Sequence, residues 1–105
     1  MPRFLLFFAI ILIFACSGTN PVLESQKTKV TQARKTLDEE RIRLQTLRDS
    51  LQSEIRRNIA LGIPEEQAEK IEHARIKIQE TIVLASERNL AAQRALLDSL
   101  TKYSP

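Results

Sequence analysis

A chain of 105 residues and 12.0 kDa is at most one small domain. All four phenylalanines fall in the first fourteen residues, Trp is absent and Tyr103 is the one other aromatic, which argues against a compact globular core. The formal charge of +3 is spread over interleaved acids and bases with no stacking aromatics among them, so nucleic-acid binding is set aside.

Near the start of the chain Arg3 is followed by twelve apolar residues, Phe4 to Ala15, without a charge. A basic start followed by a short apolar run is the pattern of a signal peptide, and the run stops short of the roughly 20 residues a spanning helix needs. Cys16, the single cysteine, follows directly in Ile13-Phe14-Ala15-Cys16. Here the segment resembles the signal peptide of bacterial lipoproteins, with Ile13 and Ala15 at the usual branched and small positions and a bulky Phe14 departing from the pattern. The resemblance implies a leader over 1–15 cleaved before Cys16, a cysteine diacylated on its thiol and acylated on its new amino terminus, and a tether over 16–20. Two or three acyl chains hold a protein firmly on a bilayer, so the chain is expected to be anchored to a membrane through lipid on Cys16.

Asn20 before Pro21 is a helix start, because the Asn side chain accepts from unpaired amides and Pro lacks only an N–H that would have no partner. From there an apolar row runs through Val30, Ala33, Leu37, Leu44, Leu51, Ile55 and Ile59, with Leu47 at its margin and a polar interruption at Glu40 and Arg41. Arg56 and Arg57 suit a helix end, and Gly62 is placed to close it in a left-handed conformation. Pro64 opens a second helix with Glu65, Glu66 and Glu69 in its first turns. Its apolar row is read as Ala68, Ile71, Ile78, Ile82, Ala85, Ala92 and Leu96, continuing to Leu100 and Tyr103. The expected architecture is all-α: a hairpin over 21–103 whose two long antiparallel helices cover about 21–61 and 64–102.

Folding at Gly62-Ile63 sets an expected register from turn geometry. Ile55 comes opposite Ile71, Leu44 opposite Ile82, Leu37 near Asn89, Ala33 near Ala92, Val30 near Leu96, and Glu40 across from Ala85. A second row on the same helix, Ile76, Val83, Leu90 and Leu97 at strict seven-residue spacing, then points elsewhere. Such a row is a candidate partner interface; alternatively it widens the seam. Two helices with one apolar seam are marginal alone, so oligomerisation or docking on a larger protein is expected. The exposed tip, Leu61 and Ile63, is a further place to touch a partner.

Enzymatic chemistry finds no support. His73 is the one histidine and reads as an exposed helix residue, and its neighbours Glu69 and Glu72 do not make a metal site. No phosphate loop, nucleophile elbow or zinc motif occurs, so no catalytic residue, metal, small-molecule substrate or cofactor is expected beyond the covalent lipid. In general design the chain resembles the small coiled-coil envelope lipoproteins typified by murein lipoprotein. The carboxy terminus, Thr101 to Pro105, lacks the terminal lysine that members use to bond peptidoglycan, so that attachment is not carried over. Ser17 after the cysteine resembles outer-membrane sorting, which places the protein on the periplasmic face of the outer membrane. Two roles follow: a structural or scaffolding rod of the cell envelope, or an accessory subunit tethering a secretion, transport or lysis complex.

Overall fold

The computed structural model describes residues 20–103, and over them the chain is helical and extended. Three helices follow one another: α1 (Pro21–Asp49), α2 (Leu51–Ala60) and α3 (Glu65–Tyr103). The expectations for the leader and for Cys16 concern residues outside this range.

α1 begins where its chemistry permits. The Asn20 side-chain oxygen accepts from the amides of Val22 at 3.0 Å and Leu23 at 3.4 Å, and Pro21 occupies the first turn. The helix expected to run unbroken from 21 to 61 is instead divided at Ser50, where φ is −94° and ψ is 2°. The Ser50 hydroxyl donates to the Thr46 carbonyl at 2.8 Å, and Thr46 donates in turn to the Ile42 carbonyl. Hydroxyl donation to the carbonyl four residues back competes with the helical ladder, although Thr28, Thr31, Thr81 and Thr101 make the same bond where the helices run on. Glu54 still donates to the Ser50 carbonyl at 2.9 Å, so α2 continues from the same turn.

α2 ends in two linked backbone bonds, Gly62 N–H to Ile59 O and Ile63 N–H to Asn58 O, both 3.0 Å. This is the paired closure that needs a left-handed residue after the helix, and Gly62 supplies it with φ of 95°. Nothing lies within 4 Å of a Cβ built there, so the penalty of adding one is backbone strain alone. Gly62→Ala is therefore expected to lower stability by about 1 kcal/mol without changing helicity. A thermal melt followed by circular dichroism checks it.

α3 packs along α1 and α2 with the opposite chain direction, as the cross-helix bonds Gln26 to Gln93, Gln79 to Glu40 and Asn58 to Glu72 show. The central cluster is Ala33, Leu37 and Leu44 from α1 with Val83 and Leu90 from α3, and Val30 and Ile76 pack against it. Ile55 and Ala68 are buried nearer the turn. From α1 the seam uses the expected row. From α3 it keeps Ala68 of the expected row near the turn, with Leu100 half-buried at the far end, and between them uses the other row, which is the main correction. Ile76, Val83 and Leu90, expected to point away from the seam, lie in or against it, and Leu97 is half-buried. Ile71, Ile78, Ile82 and Leu96, expected in the seam, are exposed, as are Ala85 and Ala92. Ile59 also leaves the seam. The register moves with the face: Glu40, expected across from Ala85, is bonded to Gln79.

The physical reason lies in the polar residues that share the seam. Gln26 and Gln79 are as buried as the leucines beside them. The Gln26 amide donates to the Gln93 backbone carbonyl at 2.9 Å and to its side-chain oxygen at 2.8 Å. The Gln79 amide donates to the Glu40 carbonyl at 3.0 Å and to its carboxylate at 2.6 Å. A buried amide without a partner costs about 1 to 3 kcal/mol, so the register that satisfies both is selected over one that merely matches apolar bulk. Among the described residues no buried side-chain nitrogen or oxygen lacks a hydrogen bond.

Candidate functional site

Three features of the described residues bear on function: a seam with alternating polar and apolar steps, an apolar row left on the outside of α3, and a groove beside it. The seam positions of α3, Glu72, Ile76, Gln79, Val83, Ser86, Leu90, Gln93 and Leu97, recur at alternating intervals of three and four. Two seven-residue series are interleaved there, one polar and one apolar. This is coiled-coil spacing in which every second layer is polar, and three of those four layers, at Glu72, Gln79 and Gln93, hydrogen-bond across to the other helix.

Near the turn the polar layer is charged. Glu72 is only 4% exposed, accepting from Asn58 Nδ2 at 3.1 Å and from Arg75 at 3.3 Å. Holding a carboxylate there requires both partners, because an unpaired buried charge is strongly unfavourable. Along the rim, Arg41 meets Glu87 at 3.3 Å and Arg48 meets Glu80 at 3.2 Å, all four side chains well exposed. Exposed pairs of this kind contribute little to stability, and their value is in matching the two helices.

Ile71, Ile78, Ile82, Ala85, Ala92 and Leu96 form the outward row. Each lies one residue before a seam position, which turns the row about 100° around the helix from the seam. Ile78 is 62% exposed and Leu96 48%, so side chains that favour burial stand in solvent along most of α3. Beside the row at one end, an open groove of about 430 Å³ runs between the helices, lined by Pro21, Val22, Gln26, Leu96 and Leu100 among others. Its walls are chiefly apolar.

The expected partner interface, Ile76, Val83, Leu90 and Leu97, is thus brought together by the fold, but as the interior contact of α3 with α1. The surface available to a partner is the row one residue ahead of it. The sequence shows both rows; of the two readings given to the second, a partner interface or a wider seam, the burial of Val83 and Leu90 agrees with the wider seam, while the first row, apart from Ala68 and half-buried Leu100, turns outward. Sequence reasoning missed Gln26, Gln79, Gln93 and Asn58 as seam residues, although Gln79 and Gln93 stand two heptads apart on the same series as Glu72.

His73 is exposed. Among the described residues no three His, Cys, Asp or Glu side chains converge to hold a metal ion, and no helix is long and apolar enough to cross a membrane. No protein-family model matches the chain, and neither a curated protein nor a solved structure does.

Proposed function

We propose that this chain is a lipid-anchored coiled-coil protein of the bacterial cell envelope, held by acyl chains on Cys16 and acting as a structural rod. The observation that carries the reading is the position of Cys16: the one cysteine follows a basic start and twelve apolar residues, and a helix begins only four residues later at Asn20-Pro21. A tether that short ties the membrane to the end of α1. The helical, extended form of residues 20–103 suits a spacer or stiffener better than a catalyst, and the hairpin is expected to reach its full strength by associating with further chains. Ser17 favours the outer membrane as its site, by the resemblance drawn from the sequence.

The second role is an accessory subunit tethering a larger secretion, transport or lysis complex. The exposed row of α3 favours keeping it in view, since a different protein could use the same surface. Both roles share the anchor. Cys16→Ser is expected to abolish acyl labelling and to shift the protein from the membrane fraction to the soluble fraction or to an uncleaved precursor, with helicity unchanged. Equal membrane retention and equal labelling of the Cys16→Ser chain and its parent would overturn the lipoprotein reading.

A further inference from the structure

The outward row of α3 is chiefly apolar, interrupted only by Arg75 and Asn89, and its apolar side chains have no partner among the described residues. Ile71, Ile78, Ile82 and Leu96 are all at least 40% exposed, with Ala85 and Ala92 between them. The seam and this row are about 100° apart on one helix, close to the angle at which a helix in a bundle touches two neighbours at once. α1 already occupies the first of these directions. Position for position, the flank of α1 on the same side of the hairpin is polar, Ser25, Lys29, Gln32 and Thr36, so an apolar partner surface has to meet α3 and not α1.

We infer that this row binds a second copy of the chain, with α3 of one copy antiparallel to α3 of the other. The row is complementary to itself in that direction and poorly so in the other. When its two ends are matched, Ile71 lies opposite Leu96, Arg75 opposite Ala92, Ile78 opposite Asn89 and Ile82 opposite Ala85. Ile71 and Leu96 pair as two large apolar residues at each end, and between them Arg75, Ile78 and Ile82 each meet a smaller residue, which is the interlocking that close packing requires. A parallel pair would instead stack Arg75 on Arg75 and Asn89 on Asn89, and would set Glu65 and Glu66 beside their own copies with the two helix dipoles aligned.

Charge favours the same arrangement. From Glu65 to Leu84 the helix carries five carboxylates and three Lys or Arg, whereas from Ala85 to Tyr103 it carries two carboxylates and three Lys or Arg. An antiparallel pair lays the acidic half of each helix along the basic half of the other, and a parallel pair lays like on like. The groove near Leu96 extends the contact. Ile71 of the second copy arrives at Leu96, beside the apolar walls formed by Pro21, Val22 and Leu100. The two hairpins then form a four-helix rod in which the ends bearing residue 20 point in opposite directions.

This pairing does not rest on lipidation, so it is tested on the full chain carrying Cys16→Ser, in mild detergent. Sedimentation equilibrium is expected to give twice the chain mass. Ile78→Glu with Ile82→Glu should weaken the dimer by at least about a hundredfold while helicity is kept, because two carboxylates per copy would be buried without partners. Ile42→Glu, an equally exposed isoleucine on α1 away from the row, should leave the mass unchanged. A spin label at Glu69→Cys then reports direction: the antiparallel register places the two labels about 43 Å apart by the 1.5 Å rise per residue, and a parallel pair places them within roughly 20 Å. A monomer at micromolar concentration, a short label distance, or a loss of helicity in the Ile78→Glu, Ile82→Glu chain would each overturn the proposal.

Discussion

Val83→Glu combined with Leu90→Glu is expected to unfold the rod. Both residues sit in the one apolar cluster that joins α1 to α3, 8% and 6% exposed, with Leu37 and Leu44 facing them. A carboxylate placed there loses its hydration and finds no fixed cation in the cluster. Each substitution removes apolar burial worth about 1.5 to 3 kcal/mol and adds a desolvation penalty of several kcal/mol or the work of protonating the acid. A small domain has only about 5 to 15 kcal/mol in total, so the pair is enough to dissolve the fold. Circular dichroism at neutral pH should show most of the helical signal lost. The contrast is with Ile78→Glu and Ile82→Glu, five and one residues earlier in the same helix, which should keep that signal. If Val83→Glu with Leu90→Glu kept its helicity and melting temperature, the two rows of α3 would have to be exchanged again.

The second large effect concerns the buried amides. Gln79→Ala is expected to destabilise by about 2 kcal/mol, since it strips a bond from the half-buried Glu40 carboxylate and leaves a gap beside it. Gln79→Leu should recover most of that loss and yet give a less well-defined molecule. With leucine at position 79 the amide that ties α3 to Glu40 is gone, and the two rows of α3 become nearly equivalent choices for α1. Hydrogen-bonding residues at seam positions select register in coiled coils at some cost in stability, and the same role is expected of Gln79 and Gln26. Methyl resonances of Leu37 and Leu44 are the measurement: one set in the parent, more than one in Gln79→Leu. A single unshifted set would show that apolar packing alone holds the register.

Helix ends were legible in the amino-acid order because capping is local chemistry. Asn20 and Pro21 start a helix through their own side chain and ring, and Gly62 ends one because no Cβ opposes its φ. The inward face of α1 was legible too. Apart from exposed Ile42, the apolar residues of α1 and α2 from Val30 to Ile55 describe a single row, so periodicity leaves one choice, and of that row only Ile59 near the turn falls outside the seam. The irregularity at Ser50 was not, since the same hydroxyl-to-carbonyl bond is made at Thr28, Thr31, Thr81 and Thr101 inside continuous helices and nothing in the residue order sets Ser50 apart from them.

The face of α3 was settled by the packed pair of helices and by nothing local. This helix carries two apolar rows displaced by one residue, and both have the spacing of a buried stripe. Turn geometry narrows the register to within about a heptad and cannot separate them. Polar residues such as Gln26, Gln79 and Gln93 count toward the surface in any hydropathy pattern, yet here they are in the seam, because each amide meets a partner on the opposite helix and its burial is compensated. The decision between the rows therefore rests on bonds between residues 39 and 67 positions apart, which exist only once both helices are in place.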